Sequence, residues 1–233
     1  YIVESVPPKI IKTIVGPYIN TTCSILENGN DISSVGIPND CKIIDGVTNI
    51  TVNAVDPEPH PVNSVKCSWD YKVEGGDKIG QGQQNVVPPF TIHFPEESTH
   101  HLVITCWDAL GNKITDYEIF EVDKTGPGIQ KYYGGPYFEE DGIEWISSKT
   151  PIFVNASDEG PHKSGIKSVE YRTKLVNDGA CRNVTLCQEQ TGSSAWNSYN
   201  GSFTIKEQSC HLIEIRATDN VDKMTTRKQC AFV

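Results

Sequence analysis

The chain has 233 residues, with 20 Lys and Arg against 30 Asp and Glu for a net charge of −10. That balance excludes a general nucleic-acid binder, which needs a basic face to displace counterions from phosphates, and docking on an anionic membrane by charge alone. Hydrophobic residues make up 37% and charged residues 21%, with no apolar run long enough for a membrane-spanning helix, so the chain is neither disordered nor a helical bundle.

The chain opens on Tyr1 and its single methionine is Met224, which reads as removal of a leader or as a segment of something longer. Tyr1-Ile2-Val3-Glu4-Ser5-Val6 alternates as a strand before Pro7-Pro8. Residues 1–7 are therefore expected to form an extension that could pair with a neighbouring copy's sheet edge by strand addition. Further along, Ile50/Val52/Ala54 and Leu102/Ile104/Cys106 alternate apolar with polar, the period of a strand with one face on a core. Turn signals recur at Pro57-Glu58-Pro59, Gly75-Gly76-Asp77, Gly111-Asn112 and Asp178-Gly179, and no stretch sustains a helical period. Trp69 and Trp107 lie beside Cys67 and Cys106, where they are expected to pack on an inter-sheet bridge.

The same order of blocks occurs twice. Ile11–Tyr18 resembles Ile129–Tyr137, and Ile50–Asp56 matches Ile152–Asp158. Pro59-His60 recurs as Pro161-His162, Pro89–Ile92 as Ser202–Ile205, and His101–Ile104 as His211–Ile215. Each copy reaches an acidic turn, Asp108–Asn112 or Asp219–Asp222, before a last strand. About seven strands in roughly 110 residues, twice over, predict an all-β chain of two tandem Ig-like β-sandwich domains. The expected bounds are 8–123 and 124–233, with Asp123–Gly128 as a short Gly/Pro linker stiff enough to make the pair a rod.

Eight cysteines are present: Cys23, Cys41, Cys67, Cys106, Cys181, Cys187, Cys210 and Cys230. The absence of any CxxC excludes zinc ribbons and thioredoxin-like motifs. Eight cysteines permit 105 pairings. Local geometry favours Cys23–Cys41 across a Gly/Asn/Asp-rich loop, Cys181–Cys187 across a five-residue loop, Cys210–Cys230 across a hairpin centred on Asn220, and by remainder Cys67–Cys106. Five sequons, at Asn20, Asn49, Asn155, Asn183 and Asn200, join the cysteines in pointing to an oxidising, glycan-bearing exterior. Asn155 alternates with Ile152, Val154 and Ala156, so it is expected to point outward.

The second copy resembles the Ig-like repeats of archaeal and bacterial surface proteins. The resemblance rests on Trp145-Ile146-Ser147-Ser148-Lys149-Thr150-Pro151-Ile152, Ala156-Ser157-Asp158-Glu159-Gly160, Ser164-Gly165-Ile166, Trp196-Asn197-Ser198-Tyr199-Asn200-Gly201-Ser202-Phe203 and Ala217-Thr218-Asp219-Asn220. The ending, with Cys230 in the final strand, is similar to hyalin-type repeats. The first copy lacks the Trp-Ile-Ser-Ser block and the Ser-Gly pair. The resemblance implies a secreted, multi-domain surface protein, and sequons without a eukaryotic-looking module composition favour an archaeon.

No nucleophile elbow, zincin helix, P-loop, dinucleotide fingerprint or EF-hand loop is present, so no enzyme is expected. His60 and His162 recur at equivalent places, which favours a loop role. The acidic loops offer Asp56, Glu58, Asp123, Asp158 and Asp219 as candidate calcium ligands, since Ca²⁺ takes oxygen ligands from irregular loops. The expected function is structural: a segment or subunit of an extracellular cell-surface assembly (surface layer, sheath or filament), whose partners are copies of itself, neighbouring envelope subunits and N-linked glycans. The alternative is an adhesin or carbohydrate-binding stalk using Tyr132, Tyr133, Tyr137 and Trp196.

Overall fold

The computed structural model describes residues 5–22, 40–57, 64–74 and 79–233. The chain is nearly all β and forms two β-sandwich units in chain order, each with a small sheet and a six-stranded sheet around an apolar cluster. Its contacts divide it into a first unit, up to Lys124 with Gly160–Ser164, and a second, Thr125–Glu159 with Gly165–Val233.

The first unit contains β1 (Lys9–Val15), β2 (Tyr18–Thr22), β3 (Asp40–Asp45), β4 (Asn49–Val55), β5 (Lys66–Val73), β6 (Ile79–Val86), β7 (Phe90–His93), β8 (Thr99–Trp107) and β9 (Lys113–Asp123). They form a three-stranded sheet, β1-β4-β7, and a six-stranded sheet, β2-β3-β9-β8-β5-β6. The predicted alternation is realised: Ile50, Val52 and Ile92 of the small sheet meet Trp69, Leu102, Ile104, Phe120 and Val122 of the large one in a single apolar cluster. Residues 1–4 of the proposed donated strand lie outside the described residues, and Ser5–Pro8 has no strand.

The second unit contains β10 (Gly128–Tyr133), β11 (Tyr137–Glu140), β12 (Ile143–Ile146), β13 (Ile152–Ser157), β14 (Ile166–Leu175), α1 (Asp178–Arg182), α2 (Val184–Glu189), β15 (Asn197–Ser198), β16 (Cys210–Asp219) and β17 (Met224–Phe232). Here β10 pairs with β13, and the large sheet runs β11-β12-β17-β16-β14-β15. In each unit one pairing is parallel, β3 on β9 and β12 on β17. Asp141 and Gly142 both take positive φ, 52° and 75°, as a two-residue hairpin turn between β11 and β12 requires.

The helices depart from the expectation of a loop. Each is a single turn or so, too short to leave a periodic signal. They are set by side-chain caps: Asn177 accepts from the Gly179 N–H, and Asn183 accepts from those of Thr185 and Leu186.

The strand registers align the two units residue by residue. Thr48 and Thr150 are both buried, and both donate their hydroxyls to the carbonyl of the proline next to last in the opening block, Pro17 at 2.9 Å and Pro136 at 2.7 Å. Gly16, at φ +137°, lies against this clamp, and a Cβ there would stand 2.6 Å from Thr48 Oγ1. The acidic turns also correspond. Asp108 Oδ1 accepts from the Leu110 and Asn112 N–H groups, and Asp219 Oδ1 from those of Val221 and Lys223. This alignment corrects the repeat by one residue, because His211 is the counterpart of His100 rather than of His101. Both His100 and His211 are buried.

His100 stacks on Phe94 with ring centroids 4.4 Å apart and lies 5.4 Å from Tyr71. Burial pushes its pKa below the ordinary histidine value, against the Ser98 carbonyl and Glu96, which raise it, while His162 lowers it further. The unfolded chain therefore binds the proton more readily, so stability is lost as pH falls below about 6.5. His100→Phe is expected to flatten the fall in stability of the first unit as pH drops below about 6.5, read from urea midpoints. An unchanged slope would mean that His100 is not the group titrating.

Candidate functional site

Two of the expected bridges are corrected. Cys181 pairs with Cys210 and Cys187 with Cys230, while Cys67 bonds Cys106. Cys210 stands opposite Phe232 and Cys230 opposite Leu212, a two-residue diagonal that a disulfide does not span. The hairpin pivots one residue later than Asn220. Cys67 and Cys106 are directly opposite on β5 and β8. Their bond thus lies within one sheet, not between sheets, with Trp69 two residues along on the same face. Cys41 is disulfide-bonded, and its expected partner Cys23 lies outside the described residues.

The bridges from α1 and α2 dock both helices on the outer face of β16 and β17. Ala180, Cys181 and Cys187 pack with Leu212 and Phe232 there, forming a small second core. Under mild reduction, trypsin is expected to cut first after exposed Arg182 while the sheets stay folded, seen as a single nick by peptide mass. An uncut Arg182 after reduction would show that packing, not the bridges, holds the cap.

All five sequon asparagines are exposed: Asn20 on β2, Asn49 on β4, Asn155 on β13, Asn183 before α2 and Asn200 in the loop after β15. Of the candidate calcium ligands, Glu58 lies outside the described residues and Asp56 is half-buried in the first unit. Asp123 is buried at the end of β9 and accepts from the Ser164 N–H at 3.1 Å. In the second unit, carboxylate oxygens of Asp158 and Asp219 come within 4.8 Å of each other. Asp158 also accepts from the Gly165 N–H.

Sequence reasoning missed a charged cluster placed between the sheets of each unit. In the first, Lys12 on β1 pairs with Asp116 and Glu118 of β9, and Lys42 on β3 also pairs with Glu118. Glu118 keeps only 7% of its surface. In the second, Lys131 on β10 lies 3.2 Å from Glu144 of β12, and Glu144 also accepts from Tyr133 Oη at 2.6 Å and from the Gln229 amide of β17. Registers make the positions equivalent. Lys12 stands across from Val52 and Lys131 from Val154; Lys42 across from Phe120 and Glu144 from Ala231; Glu118 and Gln229 each precede that core residue by two. A cation, cation and anion have become a cation, anion and amide.

Burial holds the Lys131 ammonium down to about 8, against the pull of Glu144. Burial first, and then Glu144, raise the Tyr133 phenol. The signal was available: Ile10-x-Lys12-x-Ile14 and Ile129-x-Lys131-x-Tyr133 place a lysine on the inward face of an alternating strand.

The aromatics do not form one strip. Tyr132, 54% exposed, stacks on Phe153 on the small sheet, whereas Phe138 and Trp145 lie on the large sheet of the same unit, Trp145 stacked on Phe232. Tyr133 is half-buried, and Tyr137 is exposed beside it. Half-buried Trp196 is engaged by Arg172 and Arg216, each guanidinium carbon 4.3 Å from its ring centroid. Those arginines are held in turn by Glu214 and Glu170. A groove of about 620 Å³ in the second unit runs between α1, α2, β12 and β17, lined in part by Glu139, Glu144, Arg182, Arg227 and Gln229. Among the described residues, no helix is long and apolar enough to cross a membrane.

No family model matches the chain, and no curated protein matches it. Among solved structures it is similar to the fibronectin(III)-like modules of Clostridium thermocellum CbhA, at 15% identity over 82% of this chain and 88% of that one, with a TM-score of 0.37. It is also similar to the chicken CNTN1 FN1-FN3 domains, at 10% identity over 99% of this chain and 70% of that one, with a TM-score of 0.33.

Proposed function

We propose that this chain is a non-catalytic extracellular structural protein, a segment or subunit of a cell-surface assembly such as a surface layer, sheath or filament. The carrying observation is the covalent bracing. No described cysteine is free, and the bridges close both a core sheet and a cap. Such bonds persist in oxidising compartments and are kept reduced inside most cells. The five exposed sequon asparagines add to this reading, because a glycan on a strand face shields it from proteases and from pairing with other edges.

The partners in this reading are further copies of the chain or neighbouring envelope subunits. Electron microscopy of native material tests it: ordered filaments or lattices are expected, and dispersed single particles would overturn it. Peptide mapping of the same material is expected to find sugar on at least two of Asn20, Asn49, Asn155, Asn183 and Asn200. Binding to an array of glycans by unassembled particles would favour the adhesin stalk instead.

A further inference from the structure

The two inter-sheet clusters differ in one chemically decisive respect. In the first unit the position on the last strand is Glu118, and a carboxylate does not acylate an amine without activation. In the second it is Gln229, a carboxamide. Lys131 and Gln229 are both held against the carboxylate of Glu144, Lys131 at 3.2 Å and Gln229 through its amide N–H. The Lys131 side chain keeps 2% of its surface and that of Glu144 11%. Lys131 Nζ also lies 3.5 Å from the centroid of the Tyr133 ring. Gln229 Oε1 is buried and has no hydrogen-bond partner among the described residues. A static ion pair accounts for Lys131 and Glu144 but gives no reason for a half-satisfied amide beside them, a costly arrangement in a protein interior.

We propose that the second unit forms an intramolecular isopeptide bond between Lys131 Nζ and Gln229 Cδ, with Glu144 as the proton carrier. In the dry site Glu144 takes a proton from the Lys131 ammonium, leaving a neutral amine and a carboxylic acid. The amine lone pair attacks Gln229 Cδ, and the C=O electron pair moves onto Oε1. Glu144 then relays a proton from the attacking nitrogen to Nε2. The Cδ–Nε2 bond breaks, the carbonyl reforms, and ammonia leaves; with the ammonium proton counted, the sum is one ammonium released and one amide made. No oxidant, metal or cofactor is needed.

Desolvation, which lowers the proton affinity of Lys131, favours the amine form. Holding both reactants against one carboxylate makes the step effectively unimolecular. Tyr133, kept protonated, donates to Glu144 and fixes its orientation. The groove that Glu144 and Gln229 line offers ammonia an exit. The product would join the first strand of the unit, β10, to its last, β17. It does not depend on the assembly proposed above, since the bond can exist in a chain that forms no assembly.

The test is peptide mass spectrometry of the folded full chain after reduction and deglycosylation. A branched peptide linking Lys131 to Gln229, lighter than its two components by one ammonia, is expected, with loss of tryptic cleavage after Lys131. The branched sequence is the deciding readout, because Asn-Gly pairs such as Asn200-Gly201 also lose ammonia. Gln229→Glu, which rebuilds the residue of the first unit, and Glu144→Ala are each expected to abolish the branch, and circular dichroism would verify their folds. Full recovery of linear peptides with unmodified Lys131 and Gln229 from the natural chain would overturn the proposal, whatever the variants do.

Discussion

Glu118→Ala is expected to be among the most destabilising single changes in the first unit, costing about 3 kcal/mol, a fall in melting temperature of roughly 10–20 °C. Glu118 is nearly enclosed and is the shared partner of Lys12 and Lys42, whose side chains keep only 20% and 19% of their surface. Deleting it leaves two ammonium groups between the sheets with Asp116 as the remaining carboxylate at Lys12. The cost comes less from lost attraction than from charge left without compensation in a poorly polarisable place. Lys42→Glu with Glu118→Gln rebuilds the cation, anion and amide of the second unit. That pair is expected to recover most of the loss, with a coupling of about 1–3 kcal/mol in a double-mutant cycle. Additive losses would mean that the two clusters are not equivalent.

Replacing Cys67 and Cys106 together by alanine is expected to cost about 4 kcal/mol in the same unit. The bond closes a segment of 39 residues, and loop-closure entropy in the unfolded chain sets a loss of about that size. Both sulfurs are fully buried in the main cluster, so a cavity would add to it. Urea midpoints of the double variant against the parent measure the effect, and a loss of about 1 kcal/mol or less would show that the sheet, not the cross-link, restrains these strands.

The strands were legible because alternation is written directly into stretches such as Asn49–Val55 and Thr99–Trp107. So was the duplication, because the Gly-Pro-Tyr entry and the acidic turn each need particular residues. The cap was not legible. Its helices exist because Asn177 and Asn183 supply hydrogen bonds and two bridges anchor them, and neither cause leaves a periodic pattern. The disulfide error followed from a hairpin pivot misplaced by one residue, which shifts every partner by two. The charged clusters were missed for a different reason: lysine in a strand reads as surface until its neighbours at i−2 and i+2 are seen to be apolar. Two of the acidic loop residues singled out in the sequence, Asp158 and Asp219, do come together in the second unit, because the ends of β13 and β16 bring their aspartates to one end of the sandwich.

Homologous neighbours in one polypeptide run the hazard of trading segments while they fold. The inverted polarity of the two clusters works against that exchange. A hybrid that placed β12 beside β9 would crowd Glu144 against Glu118 and Asp116, with Lys12 as the single cation left to face them. The reciprocal hybrid would set Lys42 next to Lys131 and Arg227 with only the neutral Gln229 to receive them. Each repeat therefore rejects the other's strand by repulsion, and fidelity in a chain that has copied itself rests on side chains that the copies do not share.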